Sequence, residues 1–312
     1  MTFVSRLDRA AIAELVEKAA QLAQPRSELQ AYRAHGGTLS ATGRAHLTAA
    51  KASAVATGDQ HLAAAAWILE TIATAQTAYV EAVEQCRQDH YYDAWVAFER
   101  AEIQLSFLAY HFDDAADRYG VAFMLEHIPR FQSLFPYTAF FSPGFIKKKV
   151  LCSICGHHVT PRKTCGHRVF DLYDGEMCGR RIAESVIMEI SFVKTPVQKY
   201  SVLFTTTPYN YGKVHYVVSR LASAWDGWHV RTETRRFTNE KYLQPPFARC
   251  APNAPCPCGS LKKFKKCCAG KKTHEALHCI VIFDVEPPPG VSLADQMICR
   301  HSVNDPLVNA PK

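Results

Sequence analysis

Twelve cysteines stand in this chain, and eight of them fall into two tight groups. Cys152, Cys155, Cys165 and Cys178 form the first, and Cys256, Cys258, Cys267 and Cys268 the second. Cys86, Cys250, Cys279 and Cys299 are scattered. Clustered thiols are either a disulfide framework or a metal-binding set, and the compartment decides between them. The opening stretch Met1 to Ala20 carries Asp8, Glu14, Glu17 and Lys18, which break the apolar run that an export signal needs. The longest apolar run, Leu62 to Leu69, is far short of the ~20 residues that cross a bilayer. The expectation is a cytoplasmic protein, without membrane insertion, whose reduced thiols hold metal.

The formal charge of +7 suggests acidic partners only locally. A zinc ion held by four thiolates carries a net charge of about −2, so two such sites cancel much of the excess. Lys262, Lys263, Lys265, Lys266, Lys271 and Lys272, in contrast, crowd within and just after the second group. Apolar residues at 48% and charged residues at 21% give an ordinary globular composition, and 312 residues suffice for two or three compact units.

The fold class expected is α+β. Residues 1–140 read as a helical domain, beginning with an amphipathic stretch from Asp8 to Gln24. From Arg26 to Gly58 the glycines Gly36, Gly37 and Gly43 predict shorter helices or loops. No glycine or proline occurs between Gly58 and Gly120. Leu62, Ala66, Leu69, Ala73, Val80 and Val83 keep helical spacing there, as do Trp95, Phe98, Leu105, Leu108 and Phe112. One helix of that length would run roughly 90 Å, so two antiparallel helices turning near Asp89–Tyr92 are expected. Pro129, Pro136, Pro143 and Gly144 mark a change of regime. Residues 145–245 read as a zinc-containing mixed α/β domain. Its expected elements are a short helix running into a strand over Ile182–Phe192, and strands at Tyr200–Phe204, Val214–Val218 and Trp228–Phe237. Pro245 and Pro246 form a linker into a module at 250–274, and 275–312 reads as a strand from Cys279 to Val285 with a polar tail.

In the first group, Cys152-Ser-Ile-Cys155-Gly156 is a knuckle of two thiols with a glycine to turn the backbone beneath a metal. Cys165, His167 and Cys178 follow, so five donors compete for four tetrahedral positions. The reading favours Cys152, Cys155 and Cys178, with either Cys165 or His167 as the fourth, and with His157 and His158 as weaker candidates. The donors outnumber the positions, which points to a structural rather than a catalytic ion. The run CSICG, then C-x-H, Y-D-G and a final cysteine resembles a pattern of uncharacterised bacterial and phage-related proteins. Met188-Glu-Ile-Ser-Phe-Val-Lys-Thr-Pro196 resembles a segment of tailed-phage prohead proteases, without their catalytic residues.

In the second group, Pro255-Cys256-Pro257-Cys258-Gly259-Ser260-Leu261-Lys262-Lys263-Phe264-Lys265-Lys266-Cys267-Cys268 closely resembles the SEC-C motif, named for the carboxyl terminus of the SecA translocation motor. The resemblance implies that Cys256, Cys258, Cys267 and Cys268 ligate zinc and that Phe264 packs over the small core. It departs from the usual pattern at Leu261 and Ala269, neither of which is a ligand. A module of this size cannot bury a useful core, so metal must supply its folding free energy. In the family the module is a docking element, associated in SecA with the export chaperone SecB, acidic surfaces and the ribosome.

The two clusters together imply two zinc ions per chain. No nucleophile–base set, paired-carboxylate site or nucleotide fingerprint is present in the sequence. The leading expectation is an interaction protein that docks on a SecB-like chaperone, another acidic protein or the ribosome through Lys262, Lys263, Lys265 and Lys266. Two alternatives stand beside it. One is a nucleic-acid binder of a phage-defence or mobile-element system, using the same lysines with Arg231, Arg235 and Arg236. The other is an enzyme with an unrecognised site within 182–245.

Overall fold

The computed structural model describes residues 22, 24–28, 39–114, 117–206, 208–238, 250–256, 262–271, 273–286 and 288–290, with the backbone alone at 234, 235, 237, 238 and 273–279. The helix expected over Asp8–Gln24 lies almost wholly outside the described residues, as do Pro245-Pro246, Cys258 and Cys299. Among the described residues the fold is α+β, with helices and three two-stranded antiparallel sheets. It divides into two compact units. One holds 1–132, 139–203 and 223–225, and the other holds 133–138, 204–222 and 226–312.

The first unit is organised by helix ends that the sequence encodes. Helix α1 (Ala41–Thr57) starts at Ser40, whose Oγ accepts the Gly43 N–H at 2.9 Å, and stops at Gly58 in the left-handed region. Asp59 then caps α2 (Gln60–Arg87), accepting from the Leu62 N–H at 3.0 Å. Gly43, read from sequence as a break, lies inside α1. Helix α2 buries Ala63 through Leu69 without interruption, and then Ile72, Tyr79, Val83 and Cys86. Burial on nearly every side makes it the central helix of the unit rather than a one-faced surface helix. The chain reverses around Asp89, as expected, and α3 (Tyr91–Leu108) packs back on α2 through Trp95, Phe98, Leu105 and Leu108.

Tyr79 joins these helices to α4 (Val121–Leu134). Its ring meets those of Phe98, Phe123, Phe131 and Trp225 at centroid distances of 6.0, 6.3, 6.3 and 5.3 Å. Its hydroxyl donates to the Ala224 carbonyl at 3.0 Å, so the polar end of a fully buried ring is satisfied. Gln76, a polar interruption of the apolar stripe, is buried and donates to the Tyr119 carbonyl at 2.9 Å. Pro129 does not end α4. Its missing N–H deprives only the Leu125 carbonyl, and Leu125 is exposed to water.

Strands β1 (Phe140–Cys152) and β4 (Arg180–Val193) pair as a long antiparallel ribbon. The sequence reading expected helix at the start of Ile182–Phe192 and no strand over 140–152. Pro143 and Gly144 lie inside β1, which a two-stranded ribbon tolerates because each strand has an outer edge needing no proline N–H. The ribbon is anchored at its base. Trp95 stacks on Phe140 and donates Nε1–H to the Lys199 carbonyl at 2.6 Å, while the buried Glu99 accepts the N–H groups of Lys199 and Tyr200. Between its ends the ribbon exposes Phe145, Ile146, Val186, Ile187, Met188, Ile190 and Phe192. Register breaks beside Phe145, Lys149 and Val150 disturb its edges, a feature that discourages pairing with further strands.

The loop between these strands carries two short strands, β2 (Leu172–Tyr173) and β3 (Glu176–Met177), and it docks on the helices. Gln60 and Asp174 exchange two hydrogen bonds, of 2.5 and 2.9 Å, and Lys51 bridges Glu70 and Glu176 at 2.9 and 2.6 Å. Phe170 stacks on Tyr110 at 4.5 Å, and the His111 ring bonds the Phe170 carbonyl. Gly175 has φ +69 and lies so close to α2 that a Cβ there would sit 3.0 Å from the Ala63 carbonyl. The described contacts therefore group the helices with the first cysteine cluster.

In the second unit, α5 (Gly212–Val218) occupies a stretch that reads in sequence as strand. Val214, Val217 and Val218 are buried and follow helical spacing, so the period prevails over the β-preference of valine. The strand expected at Tyr200–Phe204, in the first unit, reduces to a single bridge between Val202 and Phe140. Strand β5 (Trp228–Thr238) pairs in register with β6 (Thr273–Phe283), from Trp228 opposite Phe283 to Thr238 opposite Thr273. β6 starts six residues before the strand expected from Cys279. The second cysteine cluster thus lies in the connection of an antiparallel ribbon.

Phe98 is fully buried and stacks on Phe131 at 5.0 Å. Phe98→Ala should cost ~3–5 kcal/mol in chemical denaturation. Ile103→Ala, at an exposed site of the same helix, should stay within about 0.5 kcal/mol of the parent.

Candidate metal centres

The first centre forms where β1 ends. The Cys152 N–H donates to the His157 carbonyl at 2.9 Å, and the Gly156 N–H to the Cys152 carbonyl at 3.0 Å. Gly156 takes φ +69, which folds the chain back so that Cys155 returns toward Cys152. The donor atoms of Cys152, Cys155, Cys165 and His167 all lie within 4.8 Å of one another. Cys178, just before β4, stands outside this foursome, with its Sγ 3.9 Å from that of Cys152. His158 bridges Leu151 through its backbone, and neither His157 nor His158 joins the cluster.

The electrostatics of the knuckle suit a cation. Burial works against ionisation of Cys152, but the N–H groups of Cys155 and Ile154 and the thiols of Cys165 and Cys155 prevail and bring it down to about 6. Burial and the adjacent Cys152 push the Cys178 thiol up to about 11, against the pull of Arg180. Sequence reasoning passed over three residues that shape this site. Arg180 reaches the Cys178 sulfur at 3.5 Å and the His167 carbonyl at 3.1 Å. Tyr173 sets its ring perpendicular to His167 at 4.6 Å and accepts the Arg168 N–H at 3.0 Å. Gln60, more than a hundred residues away, holds Asp174. Arg180 follows the last cysteine by two positions and was the only one of these with a local signal.

The second centre is a compact turn. The Cys256 N–H donates to the Lys262 carbonyl at 2.8 Å, and the Phe264 N–H to the Ala254 carbonyl at 2.8 Å. A single 3₁₀ turn, Phe264–Lys266, brings Cys267 and Cys268 to the same place. The sulfurs of Cys256, Cys267 and Cys268 lie within 4.8 Å of one another, and those of Cys267 and Cys268 are 3.8 Å apart. Tetrahedral zinc with Zn–S of about 2.3 Å sets its sulfurs about 3.8 Å apart, so this spacing fits a shared ion. Phe264 is half-buried against the turn, whereas Lys262, Lys263, Lys265, Lys266 and Lys271 are exposed. Residues 253–270 match the family model of the SEC-C motif. No curated protein and no solved structure matches the chain.

The SEC-C motif is a metal-binding module, and three of its four expected ligands converge here; Cys258 lies outside the described residues. Cys86 and Cys250 belong to neither cluster. Cys86 is buried in α2, where burial pushes its thiol far up, and Cys250 lies half-buried before the SEC-C module. Among the described residues no helix is long and apolar enough to cross a membrane.

Thiolate formation and access govern alkylation. In the native chain at mildly alkaline pH, Cys86 should resist iodoacetamide. Cys155, which is exposed, should react once a chelator is added. Peptide mass spectrometry with and without chelator reads both outcomes.

Proposed function

We propose that the chain is a zinc-dependent docking protein whose SEC-C module captures an acidic macromolecular surface. The observation that carries this reading is the exposure of Lys262, Lys263, Lys265 and Lys266 on a turn of which Cys256, Cys267 and Cys268 are the organising residues. The SEC-C resemblance assigns the fourth thiolate to Cys258, and thiolate-rich tetrahedral sites select zinc. With the metal in place, lysines that would otherwise sample a flexible chain are fixed on one small surface. Such charges accelerate encounter with an oppositely charged partner more than they deepen a packed interface. The partners that fit are a SecB-like export chaperone, another acidic protein or the ribosome.

Pairing of β5 with β6 adds a second feature. The SEC-C module is not a terminal tail, because both of its flanks enter one ladder. Docking is therefore reported directly to the second unit.

A nucleic-acid reading has one supporting observation, the exposure of Arg231 and Arg236 on β5 beside the lysine-rich module. Salt separates the two, since phosphate binding falls log-linearly and steeply with ionic strength.

Binding of the full chain to a purified SecB-type chaperone and to ribosomes tests the proposal. Replacing Lys262, Lys263, Lys265 and Lys266 with glutamine should leave the metal bound and slow association by about tenfold or more. Cys267→Ser with Cys268→Ser should abolish capture while leaving the melting of the helical unit unchanged. Undiminished binding by the cysteine double variant would refute the docking role.

A further inference from the structure

The first cysteine cluster lies outside the matched residues 253–270, and all of its candidate donors are among the described residues. Five donors surround it, and the structure distinguishes among them. Cys152, Cys155, Cys165 and His167 bring their donor atoms within 4.8 Å of one another, a span that one tetrahedral ion closes. His167 supplies the independent observation. Among the described residues its buried Nδ1 has no hydrogen-bond partner, while its ring is held edge-on to Tyr173. A buried imidazole nitrogen left without a proton donor or acceptor is costly, and a metal ion accounts for it.

Cys178 is differently placed. Its sulfur lies 3.9 Å from that of Cys152, a spacing that a shared ion also allows. It does not, however, join the set whose donor atoms all lie within 4.8 Å of one another, and Arg180 donates to it at 3.5 Å. The backbone on either side of it is also spoken for: the Cys178 N–H donates to the Asp171 carbonyl at 2.8 Å, and its carbonyl accepts the Phe170 N–H at 2.9 Å. These bonds tie the strand that follows to the loop that docks on the helices.

We propose that Cys152, Cys155, Cys165 and His167 bind one structural zinc ion, and that Cys178 is an outer thiol that positions Cys152 rather than a ligand. Three thiolates and a neutral imidazole around Zn²⁺ leave a net charge of −1, and three thiol protons are released on binding. The Arg180 guanidinium, bonded to both the His167 carbonyl and the Cys178 sulfur, lies beside that charge. All four donors belong to protein, so no position is left for water or substrate, and the ion organises rather than catalyses.

The ion acts on the structure through the loop it closes. Phe170, Asp174 and Glu176 sit within the segment between His167 and Cys178, and they make the contacts to His111, Gln60 and Lys51. Phe170 holds φ 72, a conformation rare for a bulky side chain, and its ring is stacked on Tyr110. A loop that is strained at this point needs its ends fixed. The zinc fixes one end and the β1–β4 ladder the other, so metal binding and docking of the ribbon on the helices are coupled.

The test uses the full chain with the SEC-C thiols Cys256, Cys258, Cys267 and Cys268 replaced by serine, which isolates the first centre. Elemental analysis of this variant should return about one zinc per chain. Adding His167→Ala should lower zinc retention under a competing chelator at least tenfold, and adding Cys165→Ser should do the same. Adding Cys178→Ser should leave the stoichiometry unchanged. Cobalt(II) substitution supplies a second readout that does not depend on affinity. Thiolate-to-cobalt charge-transfer absorption should be unchanged by Cys178→Ser and should fall by about a third with Cys165→Ser, as one of three thiolates is lost. Loss of the ion or of charge-transfer intensity with Cys178→Ser, while His167→Ala retains both, would overturn the assignment in favour of a four-thiolate site. Absence of metal from the isolating variant, in a chain that keeps its helical signal, would overturn the site altogether.

Discussion

A two-stranded antiparallel ribbon is marginal in water, and this protein depends on two of them. Among the described residues each pairs as a single ladder, and the middle of β1–β4 leaves apolar side chains exposed. In β1 and β4 the burial is confined to the ends, at Phe140 and Cys152, with exposed residues between. What stabilises such a ribbon must act at its ends. At the base of β1–β4 that is the packing of Trp95 on Phe140 and the acceptance of two backbone N–H groups by Glu99. At the other end it is the cysteine cluster, where the proposed ion would replace the core that so short a loop cannot bury.

The same solution recurs in the second unit with a different outcome. There the SEC-C module occupies the connection between β5 and β6, and its lysines face solvent rather than a helical surface. The first cluster turns its loop inward, with Asp174, Glu176 and Phe170 bonded to helices α1 and α2 and the segment after α3. The second presents charge outward. On the proposed reading, a metal-organised first loop consolidates the fold and the second is the one that would meet a partner. The two proposed roles follow from what surrounds the thiols, carboxylates matched to Lys51 and Gln60 in one case and exposed lysines in the other.

Sequence revealed the parts of this arrangement that depend on local spacing. The two cysteine groups, the SEC-C resemblance and the α2–α3 reversal at Asp89 are all carried by residues within a few positions of one another. Strand β1 was hidden because Pro143 and Gly144 argue against a strand in a sheet interior, while this ribbon has none. Helix α5 was hidden because three valines suggest β-structure, although Val214, Val217 and Val218 follow the helical period. Docking of the first loop was illegible for another reason: Gln60–Asp174 and Lys51–Glu176 join residues more than a hundred apart, and single polar residues carry no mark of such pairing. The proposed choice among five donors likewise rests on the surroundings of His167 Nδ1, which no spacing records.

The central claim is that metal holds the far end of the β1–β4 ribbon in place. Native-state hydrogen exchange of the ladder amides, measured on the full chain before and after chelation, tests it most directly. The account predicts that amides near the cluster, from Lys149 to Cys152 and from Arg180 to Ile182, lose protection by at least tenfold on metal removal. Those at the base, around Phe140 and Val193, should keep theirs. Equal protection along the whole ladder with and without metal would contradict it.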